Sequence, residues 1–156
     1  MKKVLFVINT LGGAGAEKAL LELLKKFPEK EYDVSLYVLL AQGELIHQIP
    51  EHVKVLNNSY SDASVLSKKG KHILNRKIFK RLFVRGAIFK NLGYMLRNMA
   101  TMLKKRKLYP DKLLWRVMAD SAQVIDGHYD MAVAFLEGGS TYYIHDHIRA
   151  VRFNDN

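Results

Sequence analysis

The chain has 156 residues, 49% of them hydrophobic, which suits one domain with a real core. Its 25 Lys and Arg against 15 Asp and Glu give a formal charge of +10, so its partner surfaces are expected to be anionic: phosphate groups, a membrane face or nucleic acid. It contains no cysteine, which excludes disulfides, thiolate catalysis and cysteine metal sites, and no apolar run approaches the ~20 residues that cross a bilayer.

Residues 4–8, Val-Leu-Phe-Val-Ile, form an unbroken β-branched and aromatic run, as expected of a strand buried on both faces. Lys2, Lys3 and the triplet Ala14-Gly15-Ala16 imitate an export signal, but the apolar run stops at Asn9, short of the ~7 residues such a signal needs. Gly12, Gly13 and Gly15 allow a sharp turn and a close approach to the backbone. From Ala16 the apolar residues take helical spacing: Ala19, Leu20, Leu23, Leu24, then Phe27. A strand, a glycine loop and a helix direct free N–H groups and the positive end of a helix dipole at whatever covers the loop. The loop Gly12, Gly13, Ala14, Gly15 and Ala16 therefore suits an anion such as a phosphate. A Walker loop would end in Gly-Lys-Ser/Thr, whereas Gly15 is followed by Ala16-Glu17-Lys18, which argues against a nucleotide triphosphatase. The dinucleotide fingerprint fits Gly13 and Gly15 but fails at Lys18. The competing reading is a tight strand-to-helix turn without a ligand.

The first helix should end near Pro28. Residues 32–40 read as a second strand, Ala41-Gln42-Gly43 as a turn, 44–49 as a short helix, and 53–56 as a third strand stopped by Asn57-Asn58-Ser59. This alternation begins a parallel α/β sheet with right-handed crossovers. Residues 63–110 then contain no Asp or Glu, while apolar residues recur at helical spacing, with Gly86 and Gly93 as breaks between two expected helices. Such a basic amphipathic insertion can lie on anionic lipid, through Lys77, Lys80, Arg81, Arg85, Lys104, Lys105, Arg106 and Lys107. It can equally cap the sheet and show its charges to water. It lacks the aromatic interleaving of a single-strand platform, and no helix-turn-helix or zinc pattern occurs, so nucleic acid is not expected as a partner.

Residues 111–126 read as a further helix capped by Asp111, and 129–136 as a fourth buried strand. Glu137, Gly138, Gly139, Ser140 and Thr141 make a second strand-to-glycine-turn-to-helix junction, with Ser140 or Thr141 capping a helix over 142–147. Residues 150–153 suggest a fifth strand. With strand one central, the sheet takes the order 3-2-1-4-5, and both glycine turns line one crevice at the carboxyl ends of the strands. Glu137 can accept from a sugar hydroxyl or act as a base there; equally it can cap a neighbouring helix or face solvent. His145 and His147 are a poor metal pair on a helix. His47, His52, His72 and His128 read as surface residues. No metal site and no catalytic residue is assigned.

Residues 3–20 together with Tyr32-Asp33-Val34, Tyr129-Asp130 and Phe135-Leu136-Glu137-Gly138 resemble the N-terminal domain of retaining family 4 glycosyltransferases, which have the GT-B fold. The resemblance covers essentially the whole chain. It implies a single Rossmann-like three-layer domain over 1–156, with the basic helical insertion at 63–110. It also implies an acceptor-binding half of an enzyme that moves a sugar from a nucleotide-sugar to a glycan or lipid-linked acceptor, in synthesis of a cell-surface polysaccharide such as capsule or exopolysaccharide. The loop Gly12 to Gly15 looks like the one that approaches the donor phosphates and sugar, and residues 137–141 like the acceptor cleft. No cofactor is implied. The nucleotide-sugar would be held mainly by a donor domain, expected beyond residue 156 or on a separate subunit, so this chain alone is expected to be inactive. The expected location is cytoplasmic, peripheral on the inner membrane face. Relatives often carry a His where Arg152-Phe153-Asn154-Asp155 has Phe153, and phenylalanine cannot hydrogen-bond a sugar. The alternative is a non-catalytic basic membrane adaptor on the same scaffold.

Overall fold

A computed structural model describes residues 1–83, 115–116 and 118–148, apart from the side chains of 78, 79 and 81–83. The elements are β1 (Lys2–Ile8), α1 (Gly15–Lys25), β2 (Tyr32–Val38), a 3-10 turn (Glu44–Gln48), β3 (Lys54–Val55), α2 (Lys68–Phe83), β4 (Met131–Ala134) and α3 (Gly139–His147). Residues 115–116 and 118–120 are also helical. The expected fifth strand at 150–153, the second helix of the basic insertion and the Asp111 cap lie outside the described residues.

The four strands form one parallel sheet in the order β3-β2-β1-β4. β1 pairs along its whole length with β2 and through residues 4–7 with β4, so Val4 stands between Val34 and Met131. Alternate side chains then serve two layers. Leu5, Val7, Tyr37 and Leu39 pack with Met118, Ala119, Ala122 and Tyr143 on one face. Val4, Phe6, Ile8, Val34, Leu36 and Val38 pack with Leu20, Leu21, Leu24 and Leu45 on the other. Helices thus flank a parallel sheet on both faces, a Rossmann-like α/β arrangement.

Several local expectations change. The inner stripe of α1 is Glu17, Leu20, Leu21 and Leu24, the i, i+3, i+4, i+7 set, which leaves Leu23 exposed. Helix does not continue to residue 126, because 123–128 have no regular structure. There Gln123 turns the chain and ties it to three elements. Its N–H donates to Tyr37 Oη (3.1 Å), its amide donates to Leu56 O (3.0 Å), and its carbonyl accepts from Tyr143 Oη (2.7 Å). β3 is only two residues long because Asn57 continues its ladder with a side chain, donating to Val38 O (2.8 Å) and accepting from Val38 N (3.0 Å). α3 starts at Gly139 with no side-chain cap, because the Ser140 hydroxyl donates back to Leu136 O (2.7 Å).

Gly43 sits at φ +145, where a Cβ would stand 2.1 Å from the carbonyl carbon and oxygen of Leu11. Gly43→Ala is therefore expected to cost about 3 kcal/mol or more, read as a lower urea midpoint. Burial, reinforced by Tyr37, holds the Tyr143 phenol above its ordinary ionisation range. Its folded pKa lies above its unfolded one, so its stabilisation is whole below about pH 10 and is lost as pH rises further. The urea midpoint should fall in alkali, and Tyr143→Phe should flatten that fall while costing about 1 kcal/mol at neutral pH for the lost hydrogen bond.

Candidate functional site

β1 and β4 are adjacent and parallel, so their carboxyl ends deliver two turns to the same edge of the sheet. Asn9, the first polar residue after β1, ties them together. Its Nδ2 donates to Glu137 O (3.3 Å) and its Oδ1 accepts from Ser140 N (3.0 Å). The two glycine turns therefore stand side by side, as the sequence pattern suggests.

The first turn is held from below. Leu11 N donates to Gln42 O (2.9 Å), and Leu45 N donates to Leu11 O (3.1 Å). Gly12 is buried, with Val65 Cγ2 only 2.5 Å from where a Cβ would stand, so this glycine serves close packing. Ala14 and Gly15 are exposed, Gly13 and Ala16 half-buried, and the start of α1 carries no side-chain cap. Two carboxylates flank the turn. Glu17 is buried in the first turn of α1, where the helix dipole favours it, and accepts from Thr10 Oγ1 (3.3 Å). Glu44 Oε1 accepts from Ser64 Oγ (2.9 Å) and lies 3.4 Å from the Cβ position of Gly13. Glu44 Oε2 is buried without a partner, at a cost of about 1–3 kcal/mol. Nearby Tyr60 donates to Gly43 O (3.2 Å), and burial beside Glu44 and Asp62 pushes its phenol pKa up, so it remains a donor. The uncapped N–H donors at the start of α1, beside exposed Ala14 and Gly15, suit a ligand oxygen.

In the second turn, Glu137 and Thr141 are exposed, Gly138 is half-buried, and Gly139 and Ser140 are buried. Leu136 adopts φ +82 and Gly138 φ +106. The turn lies on Trp115. A Cβ on Gly138 would stand 3.3 Å from the indole, and one on Gly139 would meet Leu39 Cδ2 at 2.4 Å and Trp115 Cε3 at 2.9 Å. Glycine is thus required here for close approach.

Lys77 of α2 is turned inward, its ammonium donating to Ala41 O (2.6 Å) and Leu40 O (3.4 Å). Lys80 is exposed, as are Lys68, Lys69, Lys71 and Arg76 on the same helix. The side chains of Arg81, Arg85, Lys104, Lys105, Arg106 and Lys107 lie outside the described residues. His52, expected at the surface, is largely covered, with Nε2 3.2 Å from Leu24 O and Nδ1 3.1 Å from Glu29. Among the described residues no group of three or more His, Asp or Glu could hold a metal ion, and no helix is long and apolar enough to cross a membrane.

Asn9, Gln42, Glu44 and Trp115 are site residues that the sequence reading did not single out. Asn9 could have been flagged as the first polar residue after a buried strand, and Trp115 as the single tryptophan. No family model, curated protein or solved structure matches the chain.

Asn9→Ala should leave Ser140 N–H and Glu137 C=O without these partners and cost about 1–2 kcal/mol. Amide exchange should quicken over 137–141 while residues 4–8 stay protected, as hydrogen-exchange mass spectrometry would show.

Proposed function

We propose that this chain is the acceptor-binding domain of a glycosyltransferase of the GT-B type, which passes a sugar from a nucleotide-sugar to a glycan or lipid-linked acceptor. The observation that carries the reading is the pairing of two strand, glycine-turn, helix junctions at one sheet edge, tied by Asn9. The exposed carboxylate of Glu137 on the second turn gives this edge an acceptor that a sugar hydroxyl requires. The resemblance of residues 3–20 and 129–138 to family 4 enzymes supports the same assignment. In this reading a fifth strand at 150–153 extends the sheet beyond β4 to the order 3-2-1-4-5. The donor domain lies elsewhere, Gly13, Ala14 and Gly15 face the transferred sugar, and Glu137 and Thr141 face the acceptor. The exposed lysines of α2 favour an anionic membrane face as the working surface, on the cytoplasmic side.

Nuclear magnetic resonance of the labelled chain tests this reading. Oligosaccharide or lipid-linked sugar should shift amides of residues 9–17 and 136–141 and leave those of 28–32 unmoved, and the isolated chain should show no sugar transfer. Saturating ligand that moves no crevice amide would overturn the assignment, and robust turnover by the chain alone would remove the need for a separate donor domain.

The second reading is a non-catalytic adaptor that docks on anionic lipid through α2. Its support is the exposed set Lys68, Lys69, Lys71, Arg76 and Lys80, in a sequence segment without acidic residues. Lipid binding without any crevice ligand would favour it.

A further inference from the structure

The basic helix α2 is fastened to the same turn that holds the crevice. The side chain of Gln42 is fully buried, and its Nε2 donates to Gly70 O (2.9 Å) in the first turn of α2 and to Ala63 O (3.2 Å) before it. One helical stretch later, Lys77 donates to Ala41 O and Leu40 O. The backbone of the same turn continues into the glycine loop, since Gln42 O accepts from Leu11 N and Gly43 packs on the Leu11 carbonyl. Gly70 itself has no room for a side chain, with Ser64 O 1.8 Å from its Cβ position. Thus the path from α2 to Leu11 is a continuous set of buried contacts.

This junction is under tension. Ala41, which is not glycine, adopts φ +50, and Gln42 Oε1 is buried without a hydrogen-bond partner. An element with an unmet acceptor and a left-handed residue opens locally more readily than the sheet around it.

We propose that α2 acts as a positioning lever for the crevice: when its exposed lysines dock on an anionic lipid surface, the turn 41–43 is held and the glycine loop 11–15 becomes more ordered. The proposal rests on the membrane reading above and adds the coupling to it. Gln42 and Lys77 are positioning residues in this scheme, since neither touches a ligand.

The test uses the purified chain with vesicles of phosphatidylcholine alone or mixed with phosphatidylglycerol. Sedimentation reads docking, and hydrogen-exchange mass spectrometry reads the loops. Docking on the anionic vesicles should slow exchange in peptides covering 9–17 about fivefold or more, with residues 4–8 unchanged. Lys77→Met and Gln42→Leu should still sediment, with 4–8 still protected, but should lose the slowing at 9–17. Sedimentation with no slowing, or slowing that survives both substitutions, overturns the coupling while leaving lipid binding intact. Failure of the chain to sediment with anionic vesicles overturns the membrane reading and the lever with it.

Discussion

The double pairing of β1 is the constraint from which the remaining features follow. A central parallel strand shares hydrogen bonds with neighbours on both sides and carries a layer of side chains on each face, so every residue from Val4 to Ile8 is within 2% of complete burial. Each such side chain contributes about 1.5–3 kcal/mol relative to exposure. No polar residue enters this buried run, and the first to follow it, Asn9, emerges between two turns whose backbone groups need partners. Its amide satisfies one donor and one acceptor on the neighbouring turn. The side-by-side placing of the two turns is therefore a consequence of where the central strand ends.

Around that point the packing is tight but the polar accounting is incomplete. Gly12, Gly43 and Gly139 are each wedged where a methyl group would collide with Val65, Leu11 or Leu39. Yet Gln42 Oε1 and Glu44 Oε2 are buried without partners, and Ala41 and Leu136 take left-handed backbone angles. Such departures cost free energy, and among the described residues the four strands show none. The well-satisfied hub at Gln123, which joins Leu56, Tyr37 and Tyr143, shows that the chain can complete such networks elsewhere.

Charge is also divided by location. Glu17, Glu44 and Glu137 surround the turns, whereas the exposed face of α2 carries Lys68, Lys69, Lys71, Arg76 and Lys80. Of the acidic groups only Glu137 is exposed, Glu17 being buried and Glu44 half-buried, whereas the basic groups form an open face that an extended surface can meet. Lys77 is the exception among the lysines of α2, since its charge is directed at the Leu40 and Ala41 carbonyls in the turn after β2.

The amino-acid sequence by itself determined the alternation of strands and helices, the two glycine junctions, the parallel order of the first four strands and the basic character of α2. These follow from periodicity, glycine placement and charge, which act over a few residues. Tertiary structure alone decided which face of α1 is buried, because Glu17, Leu20, Leu21 and Leu24 outcompete Ala19 and Leu23 only once the sheet is present. It also ended the helix near residue 120, through the contacts that Gln123 makes with Tyr37 and Leu56. Asn9 and Ser140 are 131 residues apart, and Trp115 meets Gly138 and Gly139 only through the fold. Local pattern cannot encode such partners, because their pairing depends on how strands are ordered in space and on which polar groups burial leaves to be satisfied.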